Sequence, residues 1–177
     1  AGCQSVNNTQ SQTSGASSFD TTSNPFFSEE MRCINVDNVC ITISDLQIIP
    51  EDARGNQENA PVVMVYYNVI NYTDSPIDAF EHFADHVQVL QNYEPDGGIF
   101  YMIPAAASDP VFHDDLEIEA GGVGLYADAY KITDNLENVT LRYIAYDVAN
   151  PLGVETIPLS EISGYNLLSS SSAAASG

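Results

Sequence analysis

Residues 61–76 read PVVMVYYNVINYTDSP, and this stretch decides the fold. After Pro61, every residue through Ile70 is apolar or aromatic except Asn68. β-Branched and aromatic side chains suit a pleated, buried surface. Met64, Tyr66 and Ile70 fall on one parity, and Val63, Val65, Tyr67 and Val69 on the other. A strand that is apolar on both faces belongs in the middle of a sheet, covered from each side. Residues 71–76 then end the run with turn-forming side chains.

Strands extend outward from this centre on both sides. Upstream, residues 39–49 form a long strand in which Ile41 and Ile43 share one parity while Leu46 and Ile48 share the other. The change at Ser44-Asp45 implies a bulge, one extra residue that restores the apolar face. Residues 50–61 are a polar loop with Gly and Pro punctuation. Residues 26–31 fit either a helical turn or an edge segment. Downstream, residues 77–85 fit one helical turn or an irregular crossing, and residues 86–93 alternate as a strand. A Pro-Asp-Gly-Gly turn follows, then a short strand over 99–103 and a loop over 104–110. Residues 116–118 alternate briefly. Residues 123–132 are a strand with Val123, Leu125, Ala127 and Ala129 on one face, and Tyr126, Asp128 and Tyr130 on the other. Residues 138–148 read as a last long strand, and 154–159 as a short edge strand limited by Pro158.

Short strands separated by Gly, Pro and Asn turns, with no ten-residue helical period, define an all-β class. The expectation is an immunoglobulin-like antiparallel sandwich of about seven to nine strands over residues 25–165. Residues 166–177 would be a disordered Ser/Ala tail. The chain contains no Trp, so the Cys…Trp…Cys spacing of an antibody domain is missing.

The formal net charge is −21, with 25 acidic residues against Arg32, Arg54, Lys131 and Arg142. Such a surface repels nucleic acid and anionic lipid headgroups. No apolar run approaches the ~20 residues of a membrane span. Residues 4–24 are polar, small and almost free of aliphatics, which gives a flexible tether. The preceding Ala1-Gly2-Cys3 resembles the end of a bacterial lipobox, where cleavage precedes a cysteine that carries the lipid. That resemblance implies lipidation at Cys3, with residues 1–24 as anchor and tether and the membrane touched only through the lipid.

Three cysteines is an odd number. With Cys3 assigned to lipid, Cys33 and Cys40 flank turn chemistry at Val36-Asp37-Asn38. A disulfide between them is expected in an oxidising compartment. The alternative is two small buried thiols.

Four stretches together resemble a family: YYNVINYTDSPI, VQVLQNYEPDGG, LEIEAGGVGLYADAYKI and TDNLENVTLRYIAYD. They are similar to an immunoglobulin-like domain family of Gram-positive lipoproteins, domain of unknown function five thousand and sixty-seven. The resemblance spans residues 39–146. It implies an extracellular location at the bacterial membrane and a sandwich fold, and it carries no catalytic residues or cofactor.

The remaining constellations are weak. His82 and His86 have the spacing of a helical zinc pair, but Phe83 stands where a metalloprotease has glutamate, and a strand start at His86 would break the face. His113-Asp114-Asp115, near Asp109 and Glu117, offers hard oxygen ligands for calcium without an EF-hand pattern. A solvated acidic loop explains it as well, so no metal and no cofactor are expected. No Gly-x-Ser-x-Gly elbow occurs, and carboxylate pairs mean little in so acidic a chain. Asn71-Tyr72-Thr73 and Asn138-Val139-Thr140 match the glycosylation sequon. The ten tyrosines suit an interface, with Tyr126 and Tyr130 as candidate ligand-facing rings, and the alternative is that most of the rings fill a core lacking Trp and reach water with their hydroxyls. The expected function is a cell-surface binding module, not an enzyme, with a protein, peptide or carbohydrate ligand. A structural spacer or accessory domain and a secreted hydrolase are the alternatives.

Overall fold

The computed structural model describes residues 25–51, 53–91, 101–105, 117–133 and 138–168. Eleven strands and one helix follow in order: β1 (Phe26–Ser28), β2 (Cys33–Val36), β3 (Val39–Ile49), β4 (Val62–Asn71), β5 (Ile77–Asp78), α1 (Ala79–His86), β6 (Val87–Gln91), β7 (Pro104–Ala105), β8 (Glu117–Ile118), β9 (Val123–Lys131), β10 (Val139–Tyr143) and β11 (Gly153–Ile157). That exceeds the expected seven to nine because three of them are two-residue pairings.

The fold is an all-β sandwich. One sheet has the order β1-β2-β3-β4-β9-β7 and the other β11-β10-β6, while β5 pairs with β8 as a small flap. Every pairing between these strands is antiparallel. β4 is the interior strand its sequence requires, held between β3 and β9. The inner parity of the large sheet (Ile41, Leu46, Ile48, Val63, Val65, Tyr67, Val69) packs in one core with Val87, Val89, Val139, Leu141 and Tyr143 of the small sheet. The register of β3 shifts between Ile43 and Asp45, so a bulge at Ser44 keeps both apolar halves facing inward. Asp37 and Asn38, both at positive φ, form the two-residue turn between β2 and β3.

β2 reaches only as far as Thr42 of β3. Beyond the bulge, the chain end takes over that edge. The Ile48 amide donates to the Ser163 carbonyl at 2.7 Å, and Gln47 pairs with Ser163 in a parallel bridge. Gly164, at φ +90°, presses so closely on the Ile48 carbonyl that a Cβ would collide with it. Leu168 is 7% exposed and belongs to the core. The domain therefore runs on past Tyr165, and the Ser/Ala tail cannot begin at residue 166. The two sheets are closed at the β1–β11 side by Phe27, which lies over Gly153 and 4.5 Å from the Tyr143 ring.

Several boundaries differ from the sequence reading for local reasons. Residues 77–86 form β5 and a true helix, in which Asp78 caps the first turn by accepting from the Glu81 amide at 2.9 Å. His86 closes that helix and does not begin a strand. β7 starts at Pro104, inside the expected loop, because an edge strand needs no donor there. β10 stops at Tyr143 and not at 148, since Asp147 accepts from the Ala149 amide and the Asn150 side chain and turns the chain. The 94–98 turn lies outside the described residues.

Asn71 ties the end of β4 to its surroundings. Its amide donates to the carbonyls of Ser75, Ile118 and Glu119 at 2.7–3.1 Å, and its oxygen accepts from the Thr73 amide and hydroxyl. The residue is fully buried, and its role is structural. Asn71→Asp would set an acceptor against three carbonyls. It is expected to cost about 2–3 kcal/mol, measured by urea denaturation. Stability within 0.5 kcal/mol of wild type would contradict this role.

Candidate functional site

Two clusters gather the side chains capable of chemistry. The first lies inside the sandwich. Tyr67 on β4 stands opposite Tyr126 on β9, Val65 opposite Asp128, and Val63 opposite Tyr130. All therefore point to the inner face. Phe83 of α1 stacks on Tyr67 at 3.9 Å, and Tyr126 stacks on the same ring at 5.8 Å. The Tyr67 hydroxyl donates to Asp128 at 2.8 Å. Burial, reinforced by the neighbouring carboxylate, pushes the Tyr67 phenol far above its ordinary value. Burial also raises Asp128, opposed by the hydrogen bond from Tyr67. Tyr130 is raised by burial and then by Asp128.

Tyr126 and Tyr130 share a face as their parity requires, but that face is internal. Tyr126 is 6% exposed, and Tyr130 packs against the core. The expectation of a tyrosine platform open to solvent is thus corrected. These rings fill the place that a tryptophan would take in a chain without one.

The second cluster ties α1 to two loops. Since His86 is helical, His82 and His86 do share a helix face, with ring centroids 4.5 Å apart. His86 Nδ1 lies 2.8 Å from the Ile144 carbonyl, and the Ile144 amide donates back to the His86 carbonyl at 2.9 Å. The Val36 backbone and Asp37 favour the charged imidazole of His82, against its burial. His82 Nε2 is buried without a partner among the described residues. Asp37 in the adjoining turn accepts from the Tyr146 hydroxyl at 2.7 Å. No group of three or more metal-ligating side chains forms among the described residues. His113, Asp114 and Asp115 lie outside the described residues, as does Cys3.

On the opposite, outer face of the large sheet, Cys33 and Cys40 come together. Their sulfurs lie 2.9 Å apart, fully buried beside Met31 and Ile70. Nearby, the described cations are engaged or distant. Arg32 pairs with Glu155 at 2.9 Å, and Tyr143 donates to the same carboxylate at 3.0 Å. Lys131 pairs with Glu58 at 2.7 Å. Arg142 is buried, bonding Gln88 and the Val148 carbonyl. Sequence parity located the tyrosines but could not say which face is covered, and the sequence marked Asn71 only as turn and sequon, not as a buried tie, and did not mark the Tyr67–Asp128 pair.

Strand order, register and core define the class as an antiparallel β-sandwich. The fold is similar to that of a protein described as a "putative lipoprotein" from Staphylococcus aureus subsp. aureus NCTC 8325. The TM-score is 0.63 at 14% identity, over 79% of this chain and 97% of that one. A second solved structure, of a "putative lipoprotein" (ycdA) from Bacillus subtilis subsp. subtilis str. 168, overlaps at a TM-score of 0.49 and 13% identity, over 81% of this chain and 42% of that one. No family model and no curated protein matches the chain. No helix among the described residues is long and apolar enough to cross a membrane.

The histidine cluster gives a signed pH dependence. Burial, and then His86, lower His82 from 6.5 to about 4. Between those values the unfolded chain binds more protons at this site than the folded one. His82 therefore favours folding most above pH 6.5, and this contribution is lost as pH falls toward 4. Asp128, raised in the fold, acts with the opposite sign, favouring the fold on its acid side. His82→Gln isolates the histidine contribution. The wild-type minus variant stability should fall on acidification from pH 7 to 4. A flat difference would show that His82 is not held deprotonated by the fold.

Proposed function

We propose that the chain is an exported, lipid-anchored module that presents a binding surface outside the bacterial membrane. The observation that carries the reading is the junction between Ala1-Gly2-Cys3, a tether poor in aliphatics, and a domain whose first strand, β1, is the outer edge of its large sheet. The strongly acidic composition suits an exported, self-repelling surface and disfavours direct adhesion to anionic headgroups. The likeness in fold to the Staphylococcus aureus protein, and the sequence resemblance to immunoglobulin-like domains of Gram-positive lipoproteins, agree with this placement.

A binding role is favoured over an enzyme by the disposition of the acid–base groups. Tyr67 and Asp128 hydrogen-bond each other beneath α1, and His86 is taken up by a backbone carbonyl. Both sets serve the packing of the domain. The ligand class is protein, peptide or carbohydrate.

Membrane fractionation tests the anchor. Expressed in a Gram-positive host with a lipoprotein leader, the wild type should sediment with membranes, and mass spectrometry should find a lipidated Cys3 at the mature N-terminus. Cys3→Ser should appear in the medium. An unmodified peptide running through Ala1-Gly2-Cys3-Gln4 in the membrane fraction would reject the anchor.

Export also implies that the paired Cys33 and Cys40 become oxidised. In the exported Cys3→Ser variant, denatured but not reduced, no thiol should titrate. Replacing both cysteines with serine should cost about 2–3 kcal/mol by the loop-closure estimate while leaving the fold intact. Two titratable thiols would show that the pair is an ordinary part of the core.

A further inference from the structure

The outer face of the large sheet is covered in the half next to Lys131 and around the cysteine pair, and it is exposed in the other half where β9 begins. In the half next to Lys131, Val62, Met64, Tyr66 and Ala129 are buried together. In the half near α1, cross-strand register sets Val123 beside Ile70 and Leu125 beside Asn68. Val123 is 65% exposed and Leu125 54%. Toward β1 this row is covered, since Cys40, opposite Ile70, is fully buried with Cys33 beside Met31. Two exposed aliphatic side chains on a hydrogen-bonded strand, beside the half-buried Ile70, form an apolar patch able to meet a partner.

Charge decides what it fits. Asp45 lies on this same face, opposite Tyr66. Exposed acids stand close in the chain to its two strands: Asp74 after β4, and Glu117 and Glu119 just before β9. The four cations stand elsewhere. Arg32 pairs with Glu155, Arg142 is buried, and Lys131 and Arg54 belong to the opposite end of the sheet. A second copy of the chain would bring acid against acid at a net charge of −21 each, and an anionic lipid surface meets the same repulsion. We propose that this half of the face docks the apolar side of a cationic protein segment, one whose aliphatic residues are flanked by Lys or Arg. The proposal rests on reading the domain as a binding module and says nothing of its anchor, so it and the Cys3 fractionation can each fail alone.

The test uses the full chain and a labelled synthetic peptide of alternating leucine and lysine, followed by fluorescence anisotropy at physiological salt. Leu125→Asp and Val123→Asp each add a negative charge, so simple attraction of a cation predicts equal or tighter binding. Docking on this face predicts a loss of tenfold or more. Val154→Asp, on the outer face of the small sheet, should leave affinity unchanged or slightly higher. Leu125→Ser serves if the aspartate variant does not fold, and should weaken binding several-fold. Unchanged or tighter binding by the aspartate variants would overturn the proposal, as would failure of the wild type to bind. So would sedimentation showing a wild-type dimer that Leu125→Asp dissociates, since a second copy would then be the occupant.

Discussion

Strand β4 must be covered on both faces, and the rest of the domain meets that requirement. Val63, Val65, Tyr67 and Val69 enter the space between the sheets, while Val62, Met64 and Tyr66 are buried on the opposite side. A strand with two apolar faces cannot lie at a sheet edge or on a one-sided sheet without leaving a row of side chains in water. Its neighbours follow from this. β3 needs a bulge at Ser44 to keep Leu46 and Ile48 on the side of Ile41, and the segment around Ser163 completes the edge that β2 is too short to cover. On the outer face Cys33 and Cys40 are covered as well, and the start of β9 presents Val123 and Leu125 to solvent.

Several buried polar groups are compatible with this core because they are paired within it. Asn71 satisfies five backbone and hydroxyl partners, Tyr67 and Asp128 satisfy each other, and Glu155 receives both Arg32 and Tyr143. Such groups cost much if left unpaired and little when paired. They fix register and loop conformation at sites where apolar packing alone allows several solutions. His82 Nε2 and Asn68 Oδ1 are among the buried atoms without a partner among the described residues, and burial that disfavours the charged imidazole makes the seating of α1 sensitive to acid.

What could be read from sequence was whatever depends on parity. The central strand, the bulge in residues 39–49 and the shared face of Tyr126 and Tyr130 all follow from a period of two, and the turn at Val36-Asp37-Asn38 from its residue types. Which face is inside does not, because both parities of β4 are apolar and β9 alternates tyrosine with alanine. Helix α1 has eight residues, too few for a 3.6 period to stand out, and its signal was the Asp78 cap followed by Glu81. Pro104 disguised β7, since proline marks loops and strand edges alike. Leu168 was masked by the Ser/Ala run that follows it, although burial of a single leucine is enough to extend the domain. The open half of the outer face depends on what covers each residue in space, and no local pattern encodes that.

Hydrogen exchange of the folded domain, followed by mass spectrometry or NMR, tests the organising role of β4 most directly. Amides shielded on both sides of an interior strand exchange only when the whole domain unfolds. The account predicts that the β4 amides between Val62 and Asn71 are the slowest in the molecule, with exchange free energies equal to the global stability from denaturation. Faster exchange there than in β10, or rates like those of the edge strand β11, would contradict it.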